Sequence, residues 1–407
     1  MSRGLRWAAG VAAIAAGALA CQEHLTSPGQ CPELCPGGTP VVYDTVLSVR
    51  QDGDESVQGY VARGGGVALL TSNGLPASED RAIYRFGSRL DSISVRDTAR
   101  AYAVDSVVLG VNVVARDTLV GGLKIYLYRL PADLLPDTAT FAGVDPQLVE
   151  AALIDSIAVP DSVHSGQVST VLRGTDVDRV AIPAGTGGVL SIGLKIVAAS
   201  PTGIRVGSLA GGNAATFTTY VTVDVPDTAT AILHQSLQRG AQANSFVTQT
   251  PYAAQPGTLL IGGEPSSRTF IRFDLPPRIK DSASVVRATL EMVLVSPVPG
   301  LANDPAVLEA LAVLSDLGPK SPLTGDAQFV SQDTLATGFS DTVRIDVTKM
   351  VQLWQTSSER PEEIALRVRP EGATFTRLRF GSTNALSPVG APKLHVTYLL
   401  SFPFESP

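Results

Sequence analysis

Several residue types are scarce in this chain, and each shortage removes a class of function. Histidine occurs four times in 407 residues, and none of the four stands in H-E-x-x-H or another two-histidine zinc spacing. Only six of the 31 basic residues are lysine, the net charge is −7, and no basic stripe forms. That balance argues against nucleic acid, whose phosphate backbone requires clustered positive charge. Aromatic residues make up 6%, so flat sugar-stacking surfaces must be few. There is no G-x-S-x-G elbow and no G-x-x-x-x-G-K-[ST] loop, so neither a serine-hydrolase site nor a phosphate cradle is signalled. The glycine-rich runs Gly64-Gly65-Gly66 and Gly185-Thr186-Gly187-Gly188 precede strands rather than helices and read as turns. The close carboxylates of Gln51 to Glu55 lack the full oxygen-ligand loop of a calcium site. No cofactor motif is present, and the expectation is a non-catalytic protein.

Hydrophobic residues are plentiful at 44%, enough to build a core, and charged residues stand at 17%. The 38 glycines and 28 prolines are spread along the whole chain. Proline interrupts helices and central strands alike, so such a spread means many short elements joined by turns. The apolar runs beyond the N-terminus are short and rich in Val, Ile and Leu, which favours β-sandwiches or barrels.

The N-terminus has its own logic. Arg3 and Arg6 precede an uncharged, alanine-rich stretch from Trp7 to Ala20. That stretch is short for a membrane span, which takes roughly 20 residues, and reads as an export signal. Ala18-Leu19-Ala20-Cys21 resembles a lipobox, which implies cleavage before Cys21 and diacylation of its thiol. Each buried CH₂ of such chains contributes about 0.8 kcal/mol to membrane attachment. Gln22 follows where an aspartate would resemble an inner-membrane retention signal, so the outer membrane is the expected location. Residues 22–40 carry several prolines and almost no apolar periodicity, and read as a flexible tether. Within the tether, Cys31 and Cys35 form an even, closely spaced pair in an oxidising compartment, which predicts a local disulfide. A metal pair is the alternative, but only His24 stands near, short of the four ligands zinc takes.

Four stretches of the first half have partners in the second. Leu69-Leu70 matches Leu259-Leu260, and Ile83-Tyr84-Arg85-Phe86 matches Phe270-Ile271-Arg272-Phe273. The run Val108 to Val113 matches Thr289 to Leu294, with Leu109, Val111, Val113 and Leu290, Met292, Leu294 as the inward sets. Ile204-Arg205-Val206-Gly207-Ser208 matches Leu378-Arg379-Phe380-Gly381-Ser382, and a closing strand begins twelve residues after each serine. The expected fold is therefore all-β: two tandem antiparallel β-sandwich, jelly-roll-like domains at 41–226 and 227–407, after a signal peptide (1–20) and a lipidated tether (21–40). Two short helices are expected, one after Asp145-Pro146 with Asp145 as its cap, and one at Thr348 to Gln355 burying Met350, Val351 and Trp354.

The second half also resembles the DNRLRE-type β-sandwich domains of bacterial surface and secreted proteins. The segments that carry this are RTFIRFDLPP (268–277), VVRATLEMVL (285–294), IDVTKMVQLWQ (345–355), LRFGS (378–382) and PKLHVTY (392–398), in the family's order. The family's Trp-x-Asn-Gly turn after the helix is replaced by Thr-Ser-Ser-Glu-Arg. The first half would be a diverged relative. The resemblance implies a non-catalytic module, some of whose relatives are classed as carbohydrate-binding.

Two sets of residues are candidates for binding. Lys124, Tyr126 and Tyr128 alternate with a Leu/Ile set on one strand, so the two tyrosines share an outward face and could form a sugar platform. Outward tyrosines also serve plain cross-strand packing. Arg85 with Arg272, and Arg205 with Arg379, recur at matched places between apolar neighbours and should point away from the core. Arg205 and Arg379 are candidates for a sugar- or anion-facing row, and structural pairing is the alternative. The expected function is a lipid-anchored envelope protein binding glycan or another surface polymer. The rival is a structural or protein-assembly lipoprotein that contacts an envelope protein. An unrecognised polysaccharide-active enzyme comes last.

Overall fold

The structure, a computed structural model, describes residues 41–75, 79–182, 188–225, 232–249, 255–357, 359–385 and 390–400. The export signal, Cys21, the Cys31–Cys35 pair and the seam at Pro226-Asp227 lie outside the described residues. The chain is an all-β sandwich protein in which every strand pair is antiparallel. Alternation of small apolar and polar residues gives each strand one buried and one wetter face, and two such faces close on each other.

Two pairs of sheets result, beside a two-stranded ribbon of Ile93–Val95 and Thr98–Arg100. The first sandwich has a six-stranded sheet, in the order Ile232–Gly240, Thr216–Asp224, Tyr102–Arg116, Thr202–Gly207, Ala68–Asn73, with Gly166–Arg173 also on Tyr102–Arg116. Against it lies a five-stranded sheet, in the order Ala243–Thr248, Asp80–Phe86, Leu190–Val197, Lys124–Leu130, Leu153–Ala158. The second sandwich has a four-stranded sheet of Val42–Ser48, Lys393–Leu400, Ala283–Val293 and Thr342–Asp346. Its facing sheet runs Val330–Leu335, Ala306–Ala312, Glu363–Arg369, Ser267–Arg272, Thr258–Gly262, Arg377–Gly381, with Asp54–Gln58 on the Ser267–Arg272 strand. The inward sets read from alternation are buried: Leu109, Val111 and Val113 in one core, Leu290, Met292 and Leu294 in the other.

A cut at 226/227 does not separate these sandwiches. The strands Val42–Ser48 and Asp54–Gln58 pair with Lys393–Leu400 and Ser267–Arg272 of the second half. Conversely Ile232–Gly240 and Ala243–Thr248 pair with Thr216–Asp224 and Asp80–Phe86 of the first half. Each half thus gives its leading pair of strands to the other half's sheets. The exchanged strands are equivalent in register. Asp54 stands opposite Ile271, and Asn244 stands opposite Tyr84, the residue matched to Ile271 in sequence. The matched interior strands also keep one register, with Leu69 opposite Val206 and Leu259 opposite Phe380. A boundary placed from chain order misses the exchange, because an edge strand's own pattern does not say which sheet it joins.

The two units also share packing. Leu301 and Phe375 of the second half belong to the first sandwich's core cluster. Gly203 allows this approach, since a Cβ there would lie 2.7 Å from the Phe375 ring. Beside it Arg205 Nη2 donates to Asp304 Oδ1 at 2.6 Å.

The helix Thr348–Thr356 buries Met350, Val351 and Trp354, as its i, i+1, i+4 spacing predicts. Gln355 Nε2 fastens it by donating to the carbonyls of Ile279 and Ala283 at 2.7 and 2.8 Å. The other expected helix is shorter and starts earlier. A single turn, Phe141–Val144, is capped by Thr140, and Asp145–Gln147 continues as a 3₁₀ turn. Asp145 does not cap it, because its carboxylate instead accepts from Arg81 Nε at 2.8 Å.

Candidate functional site

The strand Lys124–Leu130 turns Ile125 and Leu127 into the core and Lys124, Tyr126 and Tyr128 outward. The Tyr126 and Tyr128 rings stack with centroids 6.4 Å apart and planes at 23°. Lys195 stands opposite Tyr126 on one neighbouring strand and Ser156 on the other. Gly193 stands opposite Tyr128 on one side and Leu153 on the other. Part of this sheet face is roofed by the 131–152 segment, whose Val144 and Leu148 pack on Ile83, Leu130 and Val247. Tyr128 packs against the edge of that cluster. Burial raises its hydroxyl pKa, with Tyr126 and Glu150 adding and Arg81 opposing. Tyr128 is thus anchored and Tyr126 lies on the uncovered side.

At the end of this strand lies an open cleft of about 470 Å³, which neither tyrosine lines. Leu153, the cross-strand partner of Tyr128, lines it together with Arg129, Gln147, Val149 and Arg179. Arg129 is held by the carbonyls of Arg179 and Ala181 at 3.0 and 2.9 Å, and Arg179 pairs with Asp176 at 3.2 Å. The arrangement is two stacked phenol rings on one sheet face with Lys124 and Lys195, while Arg129 has the opposite parity on the strand and belongs to the cleft. Aromatic faces with nearby hydrogen-bonding groups suit the C–H faces and hydroxyls of a sugar.

The candidate arginines do not join this platform. Tyr126 and Tyr128 are on the five-stranded sheet, Arg205 on the six-stranded, and Arg379 on the seven-stranded sheet. Each repeated arginine has a polar partner within the fold. Arg85 Nη1 donates to the Leu134 carbonyl at 2.7 Å, Arg205 to Asp304, and Arg379 Nη1 to Gln255 Oε1 at 2.9 Å. Arg272 lies 2.7 Å from Glu363, 3.1 Å from Glu55 and 3.2 Å from Asp316. Burial lowers the Arg272 pKa, but these three carboxylates more than offset it, so the guanidinium is held charged. Glu363 is fully buried, and burial pushes its carboxyl up to about 7 against the opposing pull of Arg272. Arg272 Nη2 stands 2.7 Å from Glu363 Oε1, close enough for a strong ion-pair attraction.

Three further polar groupings have partners within the fold. Glu309 is 1% exposed and accepts from Arg367 Nε at 2.8 Å and Arg369 Nη1 at 3.2 Å. Burial opposes its ionisation, yet the two guanidinia hold its pKa below the usual range. On the four-stranded sheet, Glu291 gathers Arg344 at 3.0 Å and His395 at 3.7 Å. In the Gln51 to Glu55 turn, Asp54 accepts from the Thr383 backbone and Glu55 pairs with Arg272. Among the described residues no three His, Cys, Asp or Glu side chains are placed to hold a metal ion.

Sequence patterning placed the tyrosine pair but not the cleft. Arg129, Gln147, Leu153 and Arg179 come together because the 131–152 segment and the Gly174–Val180 turn both meet the end of this strand. The one available signal was Arg129 directly beside Tyr128. The chain matches no protein-family model and no curated protein.

Proposed function

We propose that this chain is a non-catalytic, lipid-anchored protein of the cell envelope whose β-sandwiches bind glycan or another surface polymer. The observation that carries the reading is the Tyr126–Tyr128 pair, stacked on an outward sheet face with Lys195 opposite Tyr126. The likeness of residues 268–398 to DNRLRE-type domains points the same way. The buried carboxylates Glu309 and Glu363 face guanidinium partners, which suits a structural rather than a catalytic role. Cys21 would carry the lipid and place the protein at the outer membrane, with residues 22–40 as the tether and Cys31–Cys35 as its disulfide.

A glycan array probed with residues 41–407 tests the binding. Saturable binding to a polysaccharide, lost in Tyr126→Ala/Tyr128→Ala, is the expected result. No binding to any neutral or acidic glycan removes the reading. Fatty-acid labelling of the wild-type chain and of Cys21→Ala tests the anchor, with label expected only in the wild type.

A second reading, protein assembly, draws on the sheet edges. Val42–Ser48 and Ile232–Gly240 each end their sheet, and Val42, Val46 and Ile232 are more than half exposed. Such an edge can accept a strand from a partner protein. Retrieval of one envelope protein by the wild type, lost when Val46→Lys charges that edge, would favour this reading.

A further inference from the structure

At one corner of the first sandwich, Val107 and Phe217 face inward and are 2% and 4% exposed. They are roofed by the 3₁₀ turn Gly174–Val180 and the chain on to Ile182. Between floor and roof lies a cavity of about 280 Å³. Its walls are apolar where Val107, Val180 and Phe217 form them, and cationic where Arg89 and Arg239 do.

The two arginines are held in place. The Arg89 guanidinium lies 5.2 Å from the Tyr102 ring centroid. Arg239 Nη1 donates at 2.7 Å to the carbonyl of Ser88, the residue preceding Arg89. Arg89 Nε is buried and has no hydrogen-bond acceptor. A buried cationic N–H without an acceptor is unfavourable, and an anion in the cavity would satisfy it. Asp178 also lines the cavity but is exposed, so the lining keeps a net positive charge.

We infer that this cavity is a second binding site, for a small free amphipathic carboxylate. The charge selects an anionic head, and the floor selects an apolar body. A sugar would set hydroxyls against the apolar Val107, Val180 and Phe217, so this site differs in chemistry from the tyrosine platform. The volume lies just below the roughly 300–1,000 Å³ of small-molecule sites, which suits a short acyl chain or a single ring.

The test is calorimetric titration of residues 21–407, with Cys21→Ser so that no detergent is needed. The probes are decanoate, the neutral decanol and the polar anion glucuronate. Decanoate is expected to saturate one site. Decanol and glucuronate should each bind at least about tenfold more weakly, the scale of losing one charge-assisted contact or the apolar body. Arg89→Gln should weaken decanoate at least about tenfold with an unchanged melting temperature. Val177→Trp, which fills the cavity and leaves both charges in place, should abolish binding. Absence of decanoate binding below its aggregation concentration overturns the proposal. So does equal affinity for decanol, or retained affinity in Val177→Trp.

Discussion

Asn244 in one sandwich holds the place that Asp54 holds in the other. Asn244 Oδ1 accepts from the Leu209 backbone N–H at 2.6 Å, and Asp54 Oδ2 accepts from the Thr383 backbone N–H at 2.7 Å. Leu209 and Thr383 each follow the serine of the matched Gly-Ser step. Both residues lie on strands that cross to the other half of the chain. The exchange therefore repeats down to single hydrogen bonds, and it ties the two sandwiches into one unit.

A chain beginning at residue 59 should lose the second sandwich and keep the first. Without Val42–Ser48, the Lys393–Leu400 strand loses its partner on one side, and Tyr43 no longer stacks on Tyr398 at 5.6 Å. Limited proteolysis with mass spectrometry should show cleavage within 258–400 and protection within 68–248. Protection of both regions would contradict the exchange.

Stability should fall as pH rises through the window set by Glu264. Its side chain is 2% exposed, neither carboxylate oxygen accepts a hydrogen bond, and Arg63 Nε is 3.5 Å away. Burial pushes its pKa from 4.5 up to about 7, with Asp80 adding to the rise and Arg63 and Arg377 opposing it. The folded state thus holds a proton that the unfolded state releases near 4.5, so its contribution is full below that pH and is lost toward 7. The loss is on the order of 3 kcal/mol. Urea denaturation of Glu264→Gln at pH 5 and pH 8 should show a flatter profile than the wild type.

Trp354→Ala should cost about 3–5 kcal/mol, because Trp354 is 1% exposed and fills the core beneath the helix. Its Nε1 has no hydrogen-bond partner, so Trp354→Phe should cost less than the full truncation. Chemical denaturation of both variants checks the order.

The Arg205–Asp304 pair should behave as a strut between the sandwiches. Both side chains are largely buried, at 12% and 17% exposure. A double-mutant cycle with Arg205→Ala and Asp304→Ala should return a coupling of about 1–3 kcal/mol. Burial raises the Asp304 pKa against the pull of Arg205, so on acidification the coupling should weaken already above the usual aspartate pKa. A coupling near zero at neutral pH would show that the pair does not brace the junction.

Elements whose pattern depends only on themselves were legible in the chain. Leu109, Val111 and Val113 alternate with polar or small residues, and a strand with one buried face is the arrangement that satisfies this. Met350, Val351 and Trp354 fall on one side of a helical period and no other. Tyr126 and Tyr128 face outward for the same reason of parity. Glu309 and Glu363 were not legible, since a carboxylate on a strand reads as solvent-facing until its arginine partners are placed beside it.

Sequence alone determined the strand-rich class and the inward residues, because period and composition act over a few residues. Tertiary structure decided which sheet each leading strand joins, which charges are buried, and where the chain leaves a cleft or a cavity. Those outcomes rest on hydrogen bonds and contacts between residues far apart in the chain, and no local pattern encodes the choice of partner.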